Sequence, residues 1–140
     1  MSNIIKRQSG TTKLLAKQVV AIIQDPQEAV IAAFLDKMQD FHAALLFQMT
    51  QVGGLLARTN KLFYHYGSRF SEARSVLEVS RLRGVNQDGV YLLNAAELTA
   101  LDNALNALEK LYRVCSVKQV QSALESAKNI ESPYIGVRAG

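Results

Sequence analysis

Apolar side chains recur three and four residues apart along the whole stretch from Asp25 to Tyr66, and this periodicity limits the fold more than any other feature of the chain. A stripe of that length predicts a single amphipathic helix of about 40 residues. Asp25 and Pro26 suit its N-cap and its first helical position. Gly53-Gly54 interrupts the stripe without changing its phase. We therefore expect a continuous but kinked helix, in which the glycines mark either the kink or the close approach of another helix.

The apolar stripe is broader than a two-stranded seam, which is typical of a helix packed against two neighbours. Hydrophobic residues make up 49% of the 140, only two are proline and none is tryptophan, a balance that favours helix over a sandwich or barrel. We predict an all-α protein, an antiparallel bundle of four to five helices. The remaining helices are expected at about residues 11–24, 71–83, 98–115 and 117–129, with caps at Thr11 or Thr12, Asn94 and Ser116 and glycine ends at Gly67 and Gly84. The short apolar run at residues 90–93 suits a strand, an extended docking segment or the lead-in to a helix.

The length of the chain suits one domain with its own core. We place that domain at residues 11–131, between a mobile segment at residues 1–10 and a loose tail at residues 132–140. The chain has no run of 18 apolar residues and no secretory pattern at its N-terminus, so we expect a soluble cytoplasmic protein. The single cysteine, Cys115, indicates a reducing compartment and a small buried side chain.

The predicted long helix also implies self-association. Its length of about 60 Å greatly exceeds the radius of gyration of roughly 14 Å that a compact chain of this size has. Part of the stripe would stay bare without a second subunit, so we expect a homodimer. The residues expected in the dimer or bundle seam are Met38, His42, Leu45, Met49, Val52, Leu56, Leu98, Leu101, Leu105 and Leu108.

Catalytic and metal-binding signatures are missing from the sequence. We find no phosphate-loop, dinucleotide, zinc-protease or paired-cysteine motif. His42 lies in the apolar stripe without a second ligand three or four residues away, so it is expected to be a core histidine that makes one hydrogen bond. We therefore predict a protein that is not an enzyme and needs no cofactor and no metal.

Charge is distributed unevenly along the predicted long helix and its successor. Residues 25–52 hold four acidic residues and one lysine, whereas residues 53–84 hold six basic residues, two acidic ones and four of the ten aromatics. Arginines beside aromatic rings suit phosphate contacts and base stacking, and equally an interface with an acidic protein. The residues predicted to bind a nucleic acid or an acidic partner are Arg58, Lys61, Tyr64, Arg69, Arg74, Arg81 and Arg83.

Three functions follow from these features. We favour a self-associating, non-catalytic regulator from a bacterium or a mobile element that contacts nucleic acid through residues 58–83. The alternative is a protein-interaction module, an adaptor or inhibitor that docks on a larger assembly. A third, less favoured function is binding to a membrane surface, because residues 4–23 form a basic amphipathic segment that contains no acidic residue.

Overall fold

The computed structural model describes residues 12–130 and 132–134, and within that part the chain is a bundle of five α-helices. The helices are α1 (Ala16–Phe34), α2 (Asp40–Thr59), α3 (Gly67–Arg83), α4 (Ala95–Val114) and α5 (Val117–Lys128), and a 3-10 helix (Lys61–Tyr66) joins α2 to α3. The described residues contain no strand, so the predicted all-α class is confirmed. Helix α2 packs against each of the other four helices.

The predicted helix from Asp25 to Tyr66 is wrong, because the chain leaves the helical path between Phe34 and Asp40. Asp36 adopts a left-handed conformation with φ +57°. The Lys37 N–H donates to the Ala32 carbonyl (2.8 Å) and the Asp36 N–H to the Ala33 carbonyl (3.3 Å). These two bonds form a Schellman motif, which satisfies carbonyls at the end of a helix. An aspartate replaces the usual glycine here, so the sequence carries no obvious stop signal.

The predicted start at Asp25 is also wrong, since α1 runs through both Asp25 and Pro26. A proline inside a helix costs about 3 kcal/mol because its missing N–H leaves one carbonyl unpaired. Buried residues on both sides of the proline, Val19 and Ile23 before it and Val30 after it, offset that cost. Each such side chain contributes about 1.5–3 kcal/mol when it is buried.

The predicted cap at Thr11 or Thr12 is not formed at Thr12, whose carbonyl accepts from the Val117 N–H instead (2.7 Å). Thr11 and the expected mobile segment at residues 1–10 lie outside the described residues. Helix α1 begins at Ala16, and the Gln18 Oε1 accepts from the Leu15 N–H at 2.7 Å.

The other predicted signals are mostly confirmed. Asn94 and Glu97 form a reciprocal capping box at α4, with both hydrogen bonds at 2.9 Å. Ser116 caps α5, and Gly84 ends α3 with φ +84°. Gly67 is an exception, because it has a right-handed conformation and the chain passes through it directly from the 3-10 helix into α3.

The apolar run at residues 90–93 is neither helix nor strand. The Tyr91 N–H donates to the Met38 carbonyl (2.8 Å), an isolated antiparallel bridge. The Tyr91 hydroxyl donates to the Asp40 carboxylate at the start of α2. This run therefore ties the α3–α4 connection to the α1–α2 connection, and we call these two connections, residues 35–39 and 84–94, the loop end of the bundle.

The predicted seam lies inside a single chain. Met38, in the α1–α2 connection, and Leu56, in α2, are both fully buried, and His42, Leu45 and Leu98 are partly buried. The remaining seam residues, Met49, Val52, Leu101, Leu105 and Leu108, are buried in the core. Because no helix in the described residues spans 60 Å, the geometric reason for a dimer no longer holds, and the homodimer stays a prediction.

The described part of the predicted basic amphipathic segment, residues 12–23, also uses its apolar face within the bundle. Leu14, Val19 and Ile23 are buried against the core, and Ile22 packs against it. This packing leaves less apolar surface for the predicted contact with a membrane surface. Within the described part of the chain, no helix is long and apolar enough to cross a membrane.

The glycine pair marks a close approach and not a break. Helix α2 continues through Gly53 and Gly54, and the ring of Phe70 from α3 lies against Gly53. A Cβ atom added to Gly53 would lie 2.1 Å from the Phe70 Cε1 atom, whereas a Cβ atom on Gly54 would meet nothing within 4 Å. Gly53 thus sets the distance between the two helices.

These two glycines provide a matched pair of variants. Gly53→Ala should lower the free energy of unfolding by about 2 kcal/mol, because the buried Phe70 ring must move. Gly54→Ala should raise it by about 0.5–1 kcal/mol, because alanine is the better helix former. Thermal and urea unfolding measure both. Equal effects of the two substitutions would contradict this packing, and adding Phe70→Leu should recover part of the Gly53→Ala loss.

His42 should make the stability depend on pH. Its Nδ1 accepts from the Gln39 N–H (3.0 Å), which requires the neutral ring, and burial lowers the pKa of His42. The unfolded chain then binds more protons than the folded one, so stability should fall as the pH drops from about 7.5 to about 5.5. The variant His42→Gln keeps an acceptor without titrating. Urea unfolding of both proteins at each pH should show a smaller loss in the variant.

Candidate nucleic-acid interface

Helices α2 and α3 form an antiparallel hairpin whose turn is the 3-10 helix. Asn60 ends α2, and its Oδ1 accepts from the Leu62 N–H at 3.1 Å, which caps the 3-10 helix. The Gly53–Phe70 contact holds the two helices together close to this turn. We call residues 50–74 the hairpin tip. It contains five of the seven predicted site residues: Arg58, Lys61, Tyr64, Arg69 and Arg74.

The hairpin tip forms a half-open recess with a volume of about 570 Å³, which we call the tip cavity. Its walls come from α2, the 3-10 helix and α3. The lining residues are Thr50, Gln51, Gly54, Arg58, Tyr64, His65, Gly67, Ser68, Phe70, Ser71 and Arg74. These residues include two arginines and no carboxylate, so the cavity is positively charged.

The structure brings together three predicted residues at this cavity: Arg58, Tyr64 and Arg74. Neither arginine forms an ion pair among the residues that the structure describes. The Arg74 guanidinium lies 5.6 Å from the centre of the Phe47 ring, a cation–π contact that limits its motion. The Tyr64 ring is 66% exposed and available for stacking. An anion in the cavity would therefore meet two uncompensated positive charges.

Lys61 and Arg69 belong to the hairpin tip but do not line the cavity. Lys61 is exposed. The Arg69 guanidinium lies 5.0 Å from the centre of the Tyr66 ring, and Tyr66 stacks on Phe63. Both cations are without an ion-pair partner in the described ranges. They extend the positive surface beyond the mouth of the cavity.

Arg81 and Arg83 are placed differently, near the loop end. Arg81 pairs with Glu78 at 2.7 Å, and this hydrogen bond lowers the pKa of Glu78. Arg83 donates to both carboxylate oxygens of Glu97 (2.9 and 3.2 Å) and to the Leu92 carbonyl (2.9 Å). Their charges are thus neutralised within the chain, and the structure does not bring them to the tip cavity.

Sequence reasoning missed the neutral part of the site. His65, Ser71 and Gln51 line the tip cavity, and the Gln51 Nε2 is buried without a hydrogen-bond partner in the described structure. The hydroxyls of Thr50 and Ser68 already donate to backbone carbonyls. Residues 50, 54 and 58 of α2 and residues 67, 71 and 74 of α3 are spaced three or four apart, so each set lies on one face of its helix. With the hairpin known, this spacing could have shown that the two faces meet at the cavity.

The residues considered for other chemistry do not form a site. The described part of the chain contains no cluster of three metal-binding side chains. Cys115 is fully buried, and burial raises the pKa of its thiol, which disfavours the reactive thiolate. His42 makes the single hydrogen bond expected of it.

Comparison of the chain with family models, curated proteins and solved structures finds no match. In the part of the chain that the structure describes, the architecture is a bundle of five α-helices with a basic cavity at the tip of a helical hairpin.

Neutral substitutions should separate structural from surface arginines. In Arg83→Gln, the mostly buried Glu97 loses both guanidinium bonds but keeps the Asn94 N–H. We expect a loss of about 1 kcal/mol in the free energy of unfolding, reduced by the screening of the half-exposed Arg83. Arg58→Gln, which breaks no ion pair, should stay within about 0.5 kcal/mol. Urea unfolding measures both, and an equal loss would contradict the assignment.

Proposed function

We propose that the protein binds nucleic acid through its hairpin tip and performs no catalysis. The observation that carries the proposal is the set of four cations without ion-pair partners in the described structure, Arg58, Lys61, Arg69 and Arg74, at one end of one hairpin. Positive side chains of this kind release counterions from a phosphate backbone, which supplies most of the affinity in non-specific binding.

Aromatic rings support the same function. Tyr64 presents an exposed ring beside these cations, and stacking of one base on such a ring contributes about 1–3 kcal/mol. We assign the phosphate contacts to Arg58, Lys61, Arg69 and Arg74. Arg81 and Arg83, which the sequence also suggested, already bind carboxylates and would have to give up those ion pairs. We propose that a small regulator, acting as a homodimer in the cytoplasm, uses the surface in this way.

A second candidate function is docking on another protein, for which the loop end provides the observation. Large apolar side chains in these two connections and in the adjoining helix turns are between 47% and 72% exposed. They are Phe34, Leu35, Phe41, Leu82 and Leu92. The 20 residues of α2 place this end about 30 Å from the 3-10 helix at the turn of the hairpin, since each residue adds 1.5 Å. Binding through this surface would tolerate salt, because it would depend on apolar contacts. An acidic partner at the hairpin tip would be salt-sensitive.

Titrations against labelled single-stranded and duplex DNA and RNA test the main proposal. We expect affinity to fall at least about tenfold between about 50 and 200 mM salt, because bound phosphates release counterions. Arg69→Glu and Arg74→Glu should each weaken binding about tenfold or more without unfolding the protein. The matched control is Lys37→Glu, an exposed lysine at the loop end. Absence of binding at both salt concentrations, or an equal effect of the control, would contradict the proposal.

A further inference from the structure

The tip cavity differs from the open surface around it in being a recess with a defined size. Its volume of about 570 Å³ lies within the range of about 300–1,000 Å³ that small-ligand sites have. A phosphodiester backbone lies along a surface and needs no such recess. The recess suits a group that projects from a strand, or a free molecule of similar size.

Two cations line the cavity from different helices. Arg58 comes from the last turn of α2, and Arg74 comes from α3. A phosphodiester carries one negative charge, whereas a terminal phosphate monoester carries nearly two at pH 7, because its second pKa is about 6. No carboxylate lines the cavity, and Ser71 lines it from α3, the helix that also carries Arg74. The charge balance therefore favours a monoester over an internal phosphate.

Rings and open space complete the match to a nucleotide. Tyr64 and His65 line the cavity from the 3-10 helix and offer faces on which a base can stack. Gly54 and Gly67 contribute no side chain to the walls, and a Cβ atom on either would meet nothing within 4 Å. The part of the cavity beside them is free for a ligand.

We infer that the tip cavity binds a nucleoside 5′-monophosphate, with Arg58 and Arg74 on the phosphate and Tyr64 and His65 on the base. The same chemistry occurs at the 5′-phosphorylated end of a strand and in a free mononucleotide. For the end of a strand, the inference rests on the proposed function and restricts nucleic-acid binding to 5′-phosphorylated ends.

The first experiment compares two single-stranded 12-mers of one sequence, with a 5′-phosphate or a 5′-hydroxyl, against the full chain by fluorescence anisotropy. We expect the phosphorylated strand to bind at least about tenfold more tightly, as two charge-assisted contacts allow. Adenosine 5′-monophosphate should compete for this site, adenosine should not, and inorganic phosphate should compete weakly. Direct calorimetry with the mononucleotide alone tests the free form.

Gly54→Leu is the decisive variant, because its side chain grows into the cavity and leucine is a better helix former than glycine. It should abolish the preference for the 5′-phosphate, and Arg58→Gln and Arg74→Gln should each reduce it about tenfold or more. Lys37→Glu serves as the control and should leave the preference intact. Thermal unfolding confirms that each variant is folded, and Gly54→Ala, with less bulk, should give a smaller effect.

The outcomes separate this inference from the proposed function. Equal binding of the two strands, with salt dependence retained and no calorimetric signal from the mononucleotide, would overturn the inference and leave general nucleic-acid binding in place. Failure of both strands with binding of the mononucleotide through Arg58 and Arg74 would support the cavity and overturn the proposed function. A preference that survives Gly54→Leu would place the phosphate outside the cavity and overturn the inference.

Discussion

The contact between Gly53 and the Phe70 ring is the constraint on which the hairpin depends. Because no side chain larger than hydrogen fits at Gly53, α2 and α3 approach closely at this point, and Phe70 is almost fully buried there. The hairpin turn lies a few residues beyond the contact in both helices, so the contact fixes where Arg58 and Arg74 stand relative to each other. Phe70 itself forms part of the cavity wall. Core packing and the charged site thus share one residue.

The position of α2 extends this constraint to the whole bundle. Helix α2 packs on every other helix, and the Tyr91–Met38 bridge ties the α3–α4 connection to its start. At its other end, Asn60 caps the 3-10 helix that turns the chain into α3. A helix held along its length and at both ends cannot shift without cost to the core, so the hairpin tip rests on a rigid support. Rigid support of this kind reduces the entropy lost when a ligand binds.

Helix ends that are fixed by local hydrogen bonds were predictable from the sequence. Helix ends at which tertiary packing overrides the local pattern were not. The boxes at Asn94 and Ser116 and the glycine at Gly84 act within one turn of a helix, so the pattern locates them. By contrast, Asp25-Pro26 resembles a helix start, but burial of α1 on both sides carries the helix through it. The stop at Asp36 uses a residue that rarely adopts a left-handed conformation. The two errors together merged the end of α1 with α2 into one long helix.

The candidate site shows the same division between local and distant information. Its basic and aromatic composition is readable in residues 58–83, but the sequence does not show which arginines are already paired. Arg83 meets Glu97 only because α3 and α4 pack against each other, whereas Arg58 and Arg74 face a cavity that no carboxylate lines. An ion pair neutralises the charge of an arginine within the chain, whereas an arginine without a partner can still attract an external anion. The hairpin therefore separates the six basic residues into a pair near the loop end that forms ion pairs and a group of four at the tip without ion-pair partners in the described structure. The apolar residues exposed at the loop end lie apart from that group, so electrostatic and apolar binding can be tested on separate surfaces of the same molecule.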